Sequence, residues 1–234
     1  MQITVPEAFD FLFQPKRYKV TYGGRGSGKS ESYARALLVL GIQNKELILC
    51  TRELQVSIQD SVHRLLASTI ANENLSDQYE VLQSVIRHRT NGTEFLFKGL
   101  KHNITEIKGF QGVTKVWVEE GENVSNRSWE ILIPTIRAEN SEIWVSFNTR
   151  NLSDPTYQRF VANPQEDSIV KRVSYKDNPF FPDVLRKEME KLKKADPEAY
   201  MHIWEGEFDT RRSGAVFAKQ IAKAREEGRI TRVP

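Results

Sequence analysis

The chain has 234 residues, 39% of them hydrophobic and 28% charged, with a formal net charge of +3. This length and apolar content predict one sizeable core with room for a small appended lobe. The slight basic excess permits nucleic-acid binding without arguing for it, because dedicated binders are usually more basic. The single cysteine, Cys50, excludes an intramolecular disulfide and fits no metal-ligand spacing. We find neither an apolar run long enough for a membrane span nor a signal-peptide layout, and we expect a soluble intracellular protein.

Residues 6–17 (PEAFDFLFQPKR) form an aromatic segment that closes with Gln14 and Pro15. Two interpretations are open. The segment packs on a sheet, or it forms a platform for adenine. The second follows from many ATPases that move along nucleic acid, in which a glutamine shortly before the first strand contacts the adenine edge. Gln14 is therefore a candidate nucleotide-binding residue.

Residues 18–32 (YKVTYGGRGSGKSES) carry the most specific motif of the chain. Tyr18, Val20 and Tyr22 alternate with polar residues, which predicts a strand. Residues 23–30 match G-x-x-x-x-G-K-[ST] at every position, and an apolar pattern of helical period follows. The alternative is a chance glycine turn. Strand, glycine-rich loop and helix in this order favour a P-loop that binds a nucleoside triphosphate.

The residues of this loop are the candidate ligands of the polyphosphate. They are Gly24, Arg25, Gly26, Ser27, Gly28, Lys29 and Ser30. Backbone N–H groups at a helix N-terminus surround the phosphates, and glycine permits positive φ and a close approach. Lys29 brings a charge to the β- and γ-phosphates, and Ser30 offers a hydroxyl ligand to Mg²⁺. ATP and Mg²⁺ are the cofactors that this pattern predicts.

The next segment predicts a strand, a helix and a hairpin. Residues 46–51 are a buried strand, and residues 52–70 are a helix with five apolar side chains on one face. Those five are Leu54, Ile58, Val62, Leu65 and Leu66. Residues 84–99 are two strand-like runs around Asn91-Gly92, a strong hairpin signal. A glycine-punctuated loop, residues 108–112, leads into the next strand.

Residues 113–120 (VTKVWVEE) predict a short apolar strand that ends in two acids. A P-loop enzyme needs such a pair, one carboxylate for the Mg²⁺ shell and one to polarise the attacking water. Glu119 takes the first role and Glu120 the second. Many families have Asp in the first place, so the longer Glu119 is expected to act through a metal-bound water. Glu122 resembles either acid but lies past the strand end, and an acidic surface turn is the alternative.

Residues 128–137 (SWEILIPTIR) look helical, with a kink or break at Pro134. Residues 142–150 (EIWVSFNTR) predict an apolar strand with polar residues at its end. Ser146, Asn148 and Thr149 are placed there to sense the γ-phosphate, unless they form an ordinary turn. Alternating strands and helices predict an α/β fold with a mainly parallel central sheet and the nucleotide at the carboxyl ends of its strands.

Beyond Arg150 the sequence is rich in loops. We predict a P-loop NTPase core over 1–150, a small lid-like subdomain over 151–207 and a charged linker over 208–234. The lobe contains a strand-like run and one or two helices, in which Leu185, Met189 and Leu192 face inward. The lysines and arginines of these helices are expected on a solvated face, with DNA contact as the less favoured interpretation.

Taken together, these segments resemble the large terminase subunit of tailed bacteriophages, in the branch with a PBSX-like layout. The resemblance rests on GGRGSGKS, LCTRELQVSIQDSV, IKGFQGVTKVWVEEGENVS, SWEILIPTIR, SFNTRN, and YKDNPFFP through WEGEFD. It covers residues 10–215 in the family's order. Terminase large subunits join an N-terminal DNA-packaging ATPase to a C-terminal two-metal nuclease. This chain resembles the first half, so nuclease activity is not expected in it.

The resemblance also implies roles for individual residues. Lys29 and Ser30 bind phosphate and Mg²⁺, Glu119 is the metal-shell acid, and Glu120 activates water. Arg25 lies where the family often carries a basic residue proposed as an arginine finger in cis. Residues 146–149 match a motif that couples hydrolysis to lobe movement. Arg52 is a weaker candidate for contact with the nucleotide or a neighbouring subunit.

The function so implied is an ATPase motor that moves double-stranded DNA, without sequence preference, into a procapsid. The implied partners are DNA, a portal protein, a small terminase subunit and further copies of the chain in a ring, with no membrane. The implied location is the cytoplasm of a bacterial host, transiently at the portal, and not the mature virion. Two enzymatic alternatives stay open, a helicase-like translocase and a small-molecule kinase. A non-catalytic nucleotide switch is a third.

Overall fold

The computed structural model describes residues 3–54, 58–101 and 111–209. A single eight-stranded sheet organises them, in the order β3-β4-β5-β2-β6-β7-β1-β8. Its strands, in chain order from β1 to β8, are Tyr18–Gly23, Leu47–Arg52, Tyr79–Val81, Val85–His88, Glu94–Gly99, Lys115–Glu119, Glu142–Asn148 and Ser168–Val173. The six strands from β5 to β8 in that order pair in parallel, and β3, β4 and β5 pair antiparallel. This confirms the predicted mainly parallel α/β sheet.

The described residues contain six α-helices. In chain order, α1 to α6 are Lys29–Gln43, Arg64–Asn72, Asn126–Thr135, Pro155–Tyr157, Asp183–Ala195 and Pro197–Ile203. Segments of 3₁₀ helix cover Glu7–Phe13, Gly121–Asn123 and Tyr175–Asp177, and π-helical segments cover Gln59–His63 and Gln158–Ala162.

The sheet carries an apolar core on each face, as the alternation of its strands requires. In β6, Trp117 faces the core beneath α1 and α2, whereas Val116 and Val118 face the core beneath α3. Both faces of β6 are therefore buried, which explains its continuous apolar run. Trp129 of α3 is fully buried, and its Nε1 donates to Thr156 Oγ1 at 2.8 Å. The two helical layers hold the central strands, and with them the loops at their carboxyl ends.

A third, small core lies in the segment that follows β8. Phe181, Met189, Tyr200 and Trp204 form it. Strand β8 pairs with β1 along its whole length. Tyr18 lies opposite Ser168 at one end, and Gly23 lies opposite Val173 at the other. The central sheet therefore continues past residue 150, although the sequence placed 151–207 in a separate lobe. The exact division of the chain into core, lobe and linker stays a prediction.

Several local predictions are confirmed and others are wrong. The hairpin around Gly92 is present, with β4 antiparallel to β5 and Gly92 at φ +77°. Helix α3 ends at Thr135, one residue after Pro134, in agreement with the predicted break at the proline. Leu54 lies in a bend before the helical segment and is exposed, so it is not on the buried face.

In α5 the inward face is narrower than predicted. Met189 is buried and Leu192 packs partly buried against the lobe core, as predicted, but Leu185 is 37% exposed. The basic side chains of α5 are exposed, as predicted. The predicted loop at 108–112 and the predicted linker at 208–234 lie largely outside the described residues.

Candidate nucleotide-binding site

The loop between β1 and α1 has the conformation of a phosphate-binding loop. Gly26 and Gly28 have φ values of +75° and +76°, a region that side-chain-bearing residues rarely adopt. Gly28 is the N-cap of α1, so the backbone N–H groups of the first helical turn point towards the loop interior. The two glycines are thus explained by backbone geometry alone.

Lys29 is folded back across the loop and donates three hydrogen bonds. Its Nζ lies 2.7 Å from Gly24 O, 2.9 Å from Ser27 Oγ and 3.1 Å from Asn148 Oδ1. Burial lowers the pKa of Lys29 to about 8, although the nearby Glu122 and Glu119 oppose the change. All three acceptors are neutral. A cation that is this poorly compensated by direct contacts is poised to bind an anion.

Ser30 lies beside the first of the two predicted acids. Its Oγ donates to Glu119 Oε1 at 2.9 Å. The parallel register explains the meeting, since Glu119 pairs with Ser146 on β7 and β7 lies next to β1. Burial raises the pKa of Glu119, and Arg52 opposes that rise. Hydroxyl and carboxylate oxygens are the ligands that Mg²⁺ prefers, so this pair fits the predicted metal role.

Arg52 at the end of β2 contacts both predicted catalytic acids. Its guanidinium donates to Glu119 Oε2, and Nη2 lies 3.2 Å from Glu120 Oε1. The sequence suggested Arg52 only as a weak nucleotide or subunit contact. The contact with the acids follows from the order of the strands in the sheet. Strand β2 lies next to β6 and Thr51 pairs with Val118, which places Arg52 opposite Glu119.

The second acid has a strained backbone. Glu120 has φ +52° and ψ +45°, in the left-handed region that a glutamate seldom occupies. Its side chain is 43% exposed, against 12% for Glu119. Outliers of this kind cluster at functional sites, where the surrounding structure holds them in place. The turn directs Glu120 away from the strand axis and towards the cavity that it lines.

Glu122 is a third acid at the same edge. Burial raises the pKa of Glu122 to about 7, and the backbone N–H of Asn148 donates to its Oε2 at 3.4 Å. Glu122 lines a second cavity on the far side of Asn148. Arg25 is exposed and lines both cavities, so its side chain stands between them.

The main cavity has a volume of about 630 Å³ and brings most of the predicted site residues together. Those that line it are Arg25, Gly26, Ser27, Gly28, Lys29, Ser30, Glu119, Glu120 and Asn148. Gly24 contributes its carbonyl to Lys29 from behind the loop. Gln14 does not line the cavity. It is exposed at the end of the first 3₁₀ helix, whereas Pro6 at the opposite end does line it.

The lobe after β8 packs directly on the phosphate-binding loop. Asn178 Nδ2 donates to Gly26 O at 2.8 Å, and the Arg25 N–H donates to Ile203 O at 2.7 Å. A Cβ on Gly26 would lie 2.4 Å from the ring of Phe181. Glycine at position 26 therefore leaves room for the lobe to pack on the loop, in addition to its predicted role in phosphate binding. The motif alone does not reveal this packing role.

Comparison with known proteins identifies the family. The family model described as phage terminase large subunit matches residues 15–207. The chain belongs to the phage terminase large subunit family. The PBSX phage terminase large subunit of Bacillus subtilis (strain 168) is 27% identical over 226 residues, which cover 87% of this chain and 52% of that protein.

Solved terminase structures share the fold. A large terminase from a thermophilic bacteriophage superposes with a TM-score of 0.71 at 10% identity, over 88% of this chain and 54% of that one. That terminase has also been solved in complex with ADP and with ATP-γ-S. A mutant of the large terminase ATPase domain of Thermus phage P74-26 gives a TM-score of 0.65 at 14% identity, over 89% and 95% of the two chains. These structures confirm the P-loop NTPase fold.

The chain spans about half the length of the PBSX relative and of the terminase solved with nucleotides. Among the helices of residues 3–54, 58–101 and 111–209, none is both long and apolar enough to cross a membrane.

Proposed function

We propose that this chain binds ATP and hydrolyses it, as the motor part of a terminase large subunit. One observation carries the proposal. Lys29, Ser30 and Glu119 converge at the carboxyl edge of the sheet, where Ser30 bonds Glu119 and Lys29 bonds Asn148. Lys29 and Ser30 begin α1 and Glu119 ends β6, so a lysine, a hydroxyl and an acid from two different elements meet, as a polyphosphate site of this class requires. The ADP and ATP-γ-S complexes of the terminase from the thermophilic bacteriophage support the same ligand.

The proposed roles follow from position and charge. Lys29 holds the β- and γ-phosphates and exchanges its neutral acceptors for charged ones. Arg25, at the exposed mouth of the loop, neutralises charge that develops on the γ-phosphoryl oxygens. Glu120 orients and polarises the attacking water, for which its half-exposed carboxylate at the cavity wall is suited. Asn148 links Lys29 to the end of β7 and reports the state of the phosphate to that strand.

Ser30 and Glu119 would hold the Mg²⁺ ion. Bound there, the metal neutralises charge on the phosphate oxygens. Glu119, the carboxylate that would bind the metal, also accepts a hydrogen bond from Arg52. The hydroxyl of Ser30 and the carboxylate of Glu119 therefore fit a metal site, and Arg52 orients that carboxylate.

The proposed substrate beyond ATP is double-stranded DNA, moved into a procapsid without sequence preference. Family membership supports this motor function. We propose that the contacts are to phosphates and weaken steeply with salt. The proposed partners are a portal protein, a small terminase subunit and other copies of the chain in a ring. The proposed location is the host cytoplasm, transiently at the portal, and the absence of nuclease activity stays a prediction.

The first test is single-turnover phosphate release from Mg²⁺-ATP by the chain and two variants. We expect Glu120→Gln and Arg25→Ala to bind ATP but to lose release by about a hundredfold or more, the size of one lost catalytic group. Glu130→Gln on α3 is the matched control, because Glu130 is exposed and does not line the cavity.

The outcomes separate the alternatives. Unchanged release by Glu120→Gln would mean that the water-activating acid is misassigned and that Glu119 or Glu122 takes that role. Release that requires an added acceptor would instead favour a kinase. Strand separation on a forked duplex would favour a helicase.

A further inference from the structure

An aromatic residue stands at the mouth of the main cavity with its ring largely in solvent. Phe180 is 57% exposed, while its neighbour Phe181 is 6% exposed and packs in the lobe core. Phe180 lines the cavity, together with Asn178 and Pro182 from the same turn. Burying Phe180 in the lobe would have been favourable. At the cavity mouth, the exposed ring of Phe180 could instead bury apolar surface against a ligand that has an apolar face.

The cavity wall formed by α1 carries Arg35, whose guanidinium plane could also pack against a nucleobase. Arg35 lies six residues after Lys29 on α1, so it is nearly two helical turns from the phosphate-binding end. Its Nε donates to Glu73 Oε1 at 2.7 Å, and its Nη1 lies 3.8 Å from Glu31. The hydrogen bond to Glu73 anchors the Nε edge of the guanidinium, and Glu31 adds a longer ion pair. Pro6, which precedes the first helix, completes this wall.

The polyphosphate leaves only this part of the cavity for the rest of the nucleotide. Lys29 and Ser30 fix the phosphates beside Glu119 and Asn148, which belong to the strand ends. Outside the loop and the strand ends, the lining consists of Pro6, Glu31, Ser32, Arg35, Asn72, Asn178, Phe180 and Pro182. Among these, Phe180 offers an aromatic ring and Arg35 a guanidinium plane. Aromatic rings and guanidinium planes are the groups on which nucleobases stack.

We propose that Phe180 of the lobe and Arg35 of α1 form the base subsite, with the purine stacked on the Phe180 ring. The proposal rests on the proposed function, because it assumes that the cavity holds a nucleoside triphosphate. It places base recognition in the lobe and not in Gln14, which does not line the cavity. Stacking accepts any purine ring, so this subsite discriminates weakly between ATP and GTP.

The test compares a ligand that has a base with one that lacks it. Dissociation constants of ATP-γ-S and of inorganic triphosphate are measured calorimetrically with Mg²⁺ on the whole chain and on Phe180→Ala. We expect Phe180→Ala to weaken ATP-γ-S binding about tenfold, as loss of one stacking ring does, and to leave triphosphate binding unchanged. Phe180→Trp keeps a stacking ring and should bind ATP-γ-S like the wild type.

Val184→Ala is the matched control. Val184 is 68% exposed, lies shortly after Phe180 in the same lobe and does not line the cavity. It should bind both ligands like the wild type. Arg35→Lys, which keeps the charge but loses the planar group, should weaken ATP-γ-S binding and spare triphosphate binding.

Three results would overturn the proposal. These are equal binding of ATP-γ-S by Phe180→Ala and the wild type, an equal loss of both ligands in Phe180→Ala, and a loss of ATP-γ-S binding in Val184→Ala. Failure of the wild type to bind either ligand would refute the nucleotide function itself. The failure of the base subsite and the failure of the function are therefore distinguishable.

Discussion

Glu122 gives the chain a dependence of stability on pH that one substitution should remove. Burial raises the pKa of Glu122 from its ordinary value of 4.5 to about 7, and the neighbouring Glu120 and Glu119 act in the same direction. Between these values the folded chain retains a proton that the unfolded chain releases. The stabilising contribution is therefore complete below pH 4.5 and is lost as the pH rises through 7.

The magnitude follows from the size of the pKa change. At about 1.4 kcal/mol per pH unit, the contribution falls by about 2.5 kcal/mol between about pH 5 and about pH 8. Glu122→Gln cannot titrate. The unfolding free energy of the wild type minus that of Glu122→Gln should fall by this amount across the window, because other groups cancel in the difference.

The assay is urea unfolding of both proteins at a series of pH values. Glu188→Gln on the exposed face of α5 is the control, and its stability should run parallel to that of the wild type. Parallel curves for the wild type and Glu122→Gln would refute the reasoning. They would show that Glu122 is solvated or paired in solution.

Two further predictions concern the phosphate-binding loop. Burial lowers the pKa of Lys29 from 10.5 to about 8, so Lys29 of the ligand-free loop loses its charge above about pH 8. The dissociation constant of ATP-γ-S should rise by up to about tenfold over the next pH unit in calorimetric titrations, and a flat profile would contradict the assignment. Gly26→Ala should reduce both the unfolding free energy, by about 1–3 kcal/mol, and ATP-γ-S affinity, because φ is +75° and the new Cβ meets the Phe181 ring. Gly92→Ala, at φ +77° with only the Lys45 side chain nearby, isolates the backbone cost; an equal loss in both variants, with ATP-γ-S affinity unchanged, would show that the Phe181 contact is unimportant.

The sequence predicted the features that depend on short stretches of chain. Strand β1, the loop and α1 are contiguous, and the motif specifies their conformation through glycine geometry and helix capping. The hairpin around Gly92 is equally local. The acids at the end of β6 could be predicted because an apolar strand that ends in a carboxylate follows the P-loop in many ATPases.

Features that depend on contacts between distant segments were missed. Arg52 meets Glu119 only because β2 lies beside β6, an order that periodicity does not encode. The strand-like run of β8 was predicted, but its pairing with β1, about 150 residues earlier in the chain, was not, because that pairing is not a local property. The proposed role of Phe180 depends on such a contact too, because Phe180 lines the cavity only where the lobe packs on the phosphate-binding loop.

The attachment of the lobe to the loop has a mechanical consequence. Asn178 and Ile203 are bonded to the backbone of Gly26 and Arg25, and the Asp209 N–H donates to Arg150 O at 3.0 Å, just beyond the end of β7. These bonds tie the lobe and residue 209 to the two backbone segments that surround Lys29. If the chain hydrolyses ATP as proposed, a change in loop shape as the γ-phosphate leaves would strain or break these bonds. The lobe would then move together with the loop, and cleavage of the phosphate bond in the cavity would displace the lobe at the molecular surface.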